Sequence, residues 1–231
     1  MAHTTVSWPV PPLFEADWRE APDPLAADLR RHLVLSPVFL PQTMVGGRMV
    51  QFRMTLLPFW PGWAACEVLI TGTGEGDQVV GFLYGPFGAE LLDGRSDIIH
   101  DINDRRGIQL QTEAQREAYL RFFTSAVRGD EGAFFLVESD DRLAELTGGE
   151  PRGAGKGLGH PIRSRPGDGD TSLHDAVVLY GAALFRSTFS VLRNGLVTME
   201  EDQVVMEDHP GPGFIFDGAH RRPVTGQGDA R

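Results

Sequence analysis

The chain is nearly devoid of two residue types. Lys156 is its only lysine and Cys66 its only cysteine among 231 residues. A single cysteine excludes an internal disulfide, so the fold must be held by its core, and a chain of this length can build one. Cys66 lies in "AACEVLI" with no basic neighbour, which reads as an inert strand thiol rather than a nucleophile. Arginine carries almost all the basic charge, a composition that fits a GC-rich bacterial genome. No apolar run reaches the roughly 20 residues of a membrane span. The start, "MAHTTVSWPVPPLFEADW", has no basic segment followed by an apolar one, so no secretory signal is read there and a cytoplasmic, non-membrane protein is expected.

Positive charge is also in deficit. Lys and Arg number 21 against 32 Asp and Glu, a net charge of −11. Such a balance repels polyanions, so general nucleic-acid binding is not expected. Catalytic signatures are missing: there is no G-x-S-x-G, H-E-x-x-H or C-x-x-C, and no complete G-x-G-x-x-G between a strand and a helix. No cofactor and no metal is assigned. Gly155-Lys156 resembles the end of a phosphate loop. However, Glu150 stands where its first glycine belongs, and Gly157 stands where a Ser or Thr must hold magnesium.

What is present points to an α+β protein. The expected architecture is a mainly antiparallel sheet, a meander plus a C-terminal hairpin, with one long amphipathic helix packed on it. Residues 1–21 read as an extended arm, because Pro9, Pro11 and Pro12 exclude a regular helix. A short helix is expected from Pro24 to Leu33, with Leu25, Leu29 and Leu33 on one face. In "MVQFRMTLL" apolar and polar residues alternate as in a half-buried strand. "AACEVLIT" and "VVGFLYG" continue a meander, to which Ala89–Leu92 adds a short strand. Residues 112–128 predict the long helix: Thr112 with Gln115 forms a capping box, and Tyr119, Phe122, Phe123, Ala126 and Val127 share a face. Gly129 is expected to cap it in the left-handed conformation. "GAFFLVE" and "HDAVVLY" read as strands, and Asn194-Gly195 between apolar runs predicts a hairpin. A single domain over 22–208 is therefore expected, interrupted by a flexible loop at 148–171 and followed by a Gly/Pro-rich tail at 209–231.

Three groups of residues are candidates for function. The first is aromatic: Trp8, Phe14 and Trp18 in the arm, and Phe59, Trp60 and Trp63 in "PFWPGW". Aromatics outside regular structure either serve recognition or close a core. The second lies in "LDGRSDIIHDINDRRG", where His100 stands near Asp97, Asp101 and Asp104. A histidine among carboxylates can share acid–base work or hold a metal. The segment begins like a calcium loop, but Arg105 occupies a ligand position and Glu113 falls one place late. The third is the basic run Arg152, Lys156, Arg163 and Arg165, a candidate contact for an anion.

These groups order the functional expectations. The leading one is a non-enzymatic binding or assembly protein, acting on a protein partner or by self-association through the arm and the aromatic loop. The alternatives are a small hydrolase or metal-dependent enzyme centred on His100, and an anion-responsive module using residues 152–165.

Overall fold

The structure is a computed structural model that describes residues 7–35, 47–74, 76–149 and 157–224. At the end of the arm, β1 (Arg19–Glu20) leads into helix α1 (Asp23–Leu35). Then come β2 (Arg48–Leu56), β3 (Ala64–Thr73), β4 (Gly76–Gly85) and the short β5 (Gly88–Leu91), an antiparallel meander as the alternation predicts.

β3 is buried on both sides, because both faces of the sheet are covered. On one face Phe52, Met54, Cys66, Val68, Ile70 and Phe82 pack under Leu29 and Leu33 of α1. On the other face Ala65, Leu69, Val79 and Leu83 join the main core. "AACEVLI" is apolar at six of its seven positions, which suits a strand buried on both sides.

The described residues hold four helices where one long helix and the short helix at 24–33, seen as α1, were expected, and this corrects the expected architecture. α2 (Asp97–Arg106) occupies the Asp/Asn-rich segment. It buries Ile99 and Ile102 and ends at Gly107 with φ 57°. α3 (Glu113–Ala126) is the predicted amphipathic helix, and its capping box is formed as read from Thr112 and Gln115. Thr112→Ala should cost about 1 kcal/mol, measured as a shift in the urea midpoint with the core otherwise unchanged. The left-handed cap at Gly129 is not formed. Val127 is already extended, and Gly129 belongs to β6 (Arg128–Gly129), paired with β7 (Gly132–Ala133). β8 (Phe135–Leu136) follows, then α4 (Asp140–Thr147), capped by the Ser139 side chain at one end and by Gly148 with φ 75° at the other.

Most of the remaining strands form a separate sheet, a second correction to the one-sheet expectation. β9 (Arg163–Pro166) lies inside the segment expected as a flexible loop. β10 (Thr171–Tyr180), β11 (Ala183–Leu192) and β12 (Val197–Met206) run antiparallel, in the order β12-β11-β10, with β8 and β9 sharing the far edge of β10. Asn194-Gly195 makes the predicted turn between β11 and β12, with Gly195 at φ 82°. Within the segment expected as a tail, β13 (Phe214–Asp217) and β14 (His220–Pro223) form a hairpin whose second strand joins β4 of the first sheet. The two sheets share one core, built around Leu69, Leu83, Tyr119, Phe122, Phe135 and Val178. No described helix is long and apolar enough to cross a membrane.

Candidate functional site

The arm is held by a buried charge cluster. Arg53 and Glu67 are cross-strand partners on the core-facing side of β2 and β3. The Glu67 carboxylate is wholly buried and accepts from Arg53 Nε at 2.6 Å, from Arg221 Nη2 of β14, and from the backbone N–H of Leu13 at 2.9 Å. The guanidiniums then reach the arm's carbonyls. Arg53 donates to Val10 O at 3.2 Å, Arg221 to Pro11 O at 2.9 Å, and Arg142 of α4 to Pro12 O at 3.0 Å. Proline offers a carbonyl and no N–H, while arginine only donates, so the two groups are complementary. Burial holds the Arg221 guanidinium down to about 10, against the raising effect of Glu67, so it remains charged at neutral pH.

This capture decides where the aromatic candidates lie. Phe14 is buried, edge-on to Phe122. Trp18 is half-buried and donates from Nε1 to Phe14 O at 2.9 Å, and Trp8 lies 4.0 Å from the Arg53 guanidinium. Phe59, Trp60 and Trp63 are all buried and close one end of the core. Trp60 Nε1 donates to Asn103 Oδ1 at 3.1 Å, Asn103 Nδ2 to Tyr119 OH at 2.7 Å, and Tyr119 OH to Gly195 O at 2.9 Å. An interior polar chain thus ties the loop, α2, α3 and the β11–β12 turn together. Phe14, Phe59, Trp60 and Trp63 thus pack inward, while Trp8 and Trp18 are half-buried.

The residues around His100 are spread along α2. Asp97, Asp101 and Asp104 are exposed, Asp97 lies 3.4 Å from Arg95, and the half-buried His100 ring lies tilted against Phe123, with centroids 5.8 Å apart. Among the described residues, no group of three or more His, Cys, Asp or Glu side chains is placed to hold a metal ion.

Of the basic run, Arg152 and Lys156 lie outside the described residues. Arg163 and Arg165 are in β9, and Arg165 reaches Asp175 of β10 at 3.6 Å.

Two features went unread in the sequence. One is His174 on the inner face of β10. It is completely buried, with Ser164 Oγ 2.8 Å from Nδ1 and Ser172 Oγ 2.6 Å from Nε2, while Ser164 donates to Glu117 at 2.7 Å. With the Ser164 proton committed to Glu117, Nδ1 carries the ring hydrogen and Nε2 accepts from Ser172. The spacing in "SLHD" puts Ser172 and His174 on one face, the only local clue to this pairing.

The other is β12, the second strand of the predicted hairpin, whose exposure has no local sequence signal. It is the edge strand of the second sheet. Eight of its ten residues are exposed and the two terminal ones are half-exposed. Met199 is 38% exposed, Val204 46% and Val205 40%. Glu200 is held by Ser190 Oγ of β11 at 2.5 Å, while the carboxylates of Glu201 and Asp202 have no partner among the described residues. Comparison with protein-family models, curated proteins and solved structures finds no match for this chain.

Proposed function

We propose that the chain is a non-enzymatic binding protein that takes an extended segment of a protein partner along the free edge of β12. The supporting observation is that this long edge strand is exposed at eight of its ten residues, with apolar Met199, Val204 and Val205 open to solvent. Among the described residues one side of its backbone has no strand partner, so a docked segment can add main-chain hydrogen bonds, each contributing about 0.5–1.5 kcal/mol net.

Charge selects the partner. Glu200, Glu201 and Asp202 lie together on β12, and Glu207 and Asp208 follow it. Pairing two copies edge to edge sets these carboxylates against one another, which is destabilising. The same charges guard the edge against aggregation. A basic segment with alternating apolar residues suits both the charge and the exposed valines.

Calorimetry with a synthetic ten-residue segment of alternating lysine and valine tests this reading, with a glutamate–valine segment as control. Saturable binding of the basic segment only is expected. Substituting Val204→Lys and Val205→Lys together, at positions where the fold tolerates charge, should weaken it by at least about tenfold. Equal binding of both segments, or of neither, overturns the reading.

A further inference from the structure

Arg163 of β9 and Arg186 of β11 flank β10 on its outer face. The register aligns Arg163 with Asp175 and Asp175 with Thr188, and it aligns Val177 with Arg186. Residues two apart on a strand share a face. Arg163, Asp175, Val177, Thr188 and Arg186 therefore lie on one surface, the two arginines diagonal across β10. Strand spacing and rise put their backbones about 12 Å apart, a span that two inward-reaching guanidiniums bridge with one oxyanion between them. Together with His160 these side chains line an open cavity of about 410 Å³.

The charges in this cavity are unbalanced. Asp175 is occupied: Thr188 Oγ1 donates to it at 2.8 Å and Arg165 lies 3.6 Å away. Neither the Arg163 nor the Arg186 guanidinium has an ion-pair or hydrogen-bond partner among the described residues. Counting Arg165 and Asp175 as one neutral pair leaves two free guanidiniums, with the His160 ring beside them. Glu201 aligns with Thr188 one strand further out but does not line the cavity. Several other described arginines also lack an acidic partner; what sets Arg163 and Arg186 apart is that both line one cavity in a chain of net charge −11. Two neighbouring cations without a counterion repel, and a bound dianion relieves that repulsion. The apolar floor, formed by the buried Val177 with Pro161 at the side, suits an organic body rather than a bare ion.

We propose that this cavity binds a small organic phosphate monoester, its phosphate clamped between Arg163 and Arg186 and its apolar body on Val177. The site is separate from the β12 edge reading and does not depend on it.

Calorimetry of the full chain with phenyl phosphate and with inorganic phosphate at low salt is the test. Phenyl phosphate should bind saturably and about tenfold more tightly than inorganic phosphate, because the ring covers the apolar floor. Arg163→Gln and Arg186→Gln, at exposed positions, should each weaken binding by about tenfold or more, while Arg105→Gln on α2 should leave it unchanged. No saturable binding, equal affinity for the two ligands, or variants at Arg163 and Arg186 within twofold of the parent would overturn the proposal.

Discussion

Replacing Glu67 with leucine should destabilise the fold by about 3–5 kcal/mol, the cost of breaking a buried ion pair by removing one partner. Glu67 is 0% exposed and Arg221 is 1% exposed, so the cation left behind has no route to water. Arg53 loses the same counterion, and the Leu13 N–H loses its acceptor. Domains are stable by only about 5–15 kcal/mol, so this single change removes a large part of the total. Urea unfolding followed by tryptophan fluorescence measures it, and Trp8 beside Arg53 should report loosening of the arm. A triple variant with Arg53→Met and Arg221→Met added should recover part of the loss, because no uncompensated charge then remains in the interior. A single-variant cost below about 1 kcal/mol would mean that Glu67 is hydrated and the cluster is not what fixes the arm.

Acidification should remove about 3 kcal/mol of stability through His174. Burial pushes this imidazole from its ordinary 6.5 down to about 4. Between those values the unfolded chain takes up a proton that the folded chain refuses. The contribution is therefore complete above pH 6.5 and falls away as pH drops towards 4. The physical cause is that a protonated ring must donate from both nitrogens in a fully buried site. Ser172 would have to give up its donor role, and a positive charge would be stranded in the core. His174→Gln keeps a polar group between the two serines and cannot titrate. Its stability should be flatter than the parent's between pH 6.5 and 4.5, read as the difference in urea midpoint at each pH. Equal losses in parent and variant would assign the acid sensitivity to other groups.

The elements that could be read from the sequence rest on local signals. The meander follows from alternation over residues 48–56, α3 from its Thr112 capping box and apolar stripe, and the β11–β12 hairpin from Asn194-Gly195. The misread elements carried weaker or conflicting local cues. α2 is rich in Asp and Asn, which favour turns, and its apolar contribution is only Ile98, Ile99 and Ile102. α4 did carry caps, Ser139 and Gly148, with Leu143 and Leu146 buried between them, but it is a short helix of eight residues. The site residues were harder still. Glu67 looks like the polar face of a half-exposed strand until Arg53, 14 residues away, and Arg221, 154 residues away, are brought onto it. The arm's prolines showed that it is extended; only the tertiary fold turns its carbonyls towards three arginines. Likewise Arg163 stood out within a basic run, but Arg186 joins it only through the β9–β10–β11 register.

Hydrogen exchange on the intact chain, alone and with the alternating lysine–valine segment, tests most directly the division between a locked arm and an open edge. The Leu13 amide, bonded to buried Glu67, should exchange only with global unfolding in both conditions. The outward amides of β12 should exchange fast in the free chain and slow down when the basic segment is added. Fast exchange at Leu13 together with an unchanged β12 would contradict the division, leaving the arm as the free element and the edge without a role.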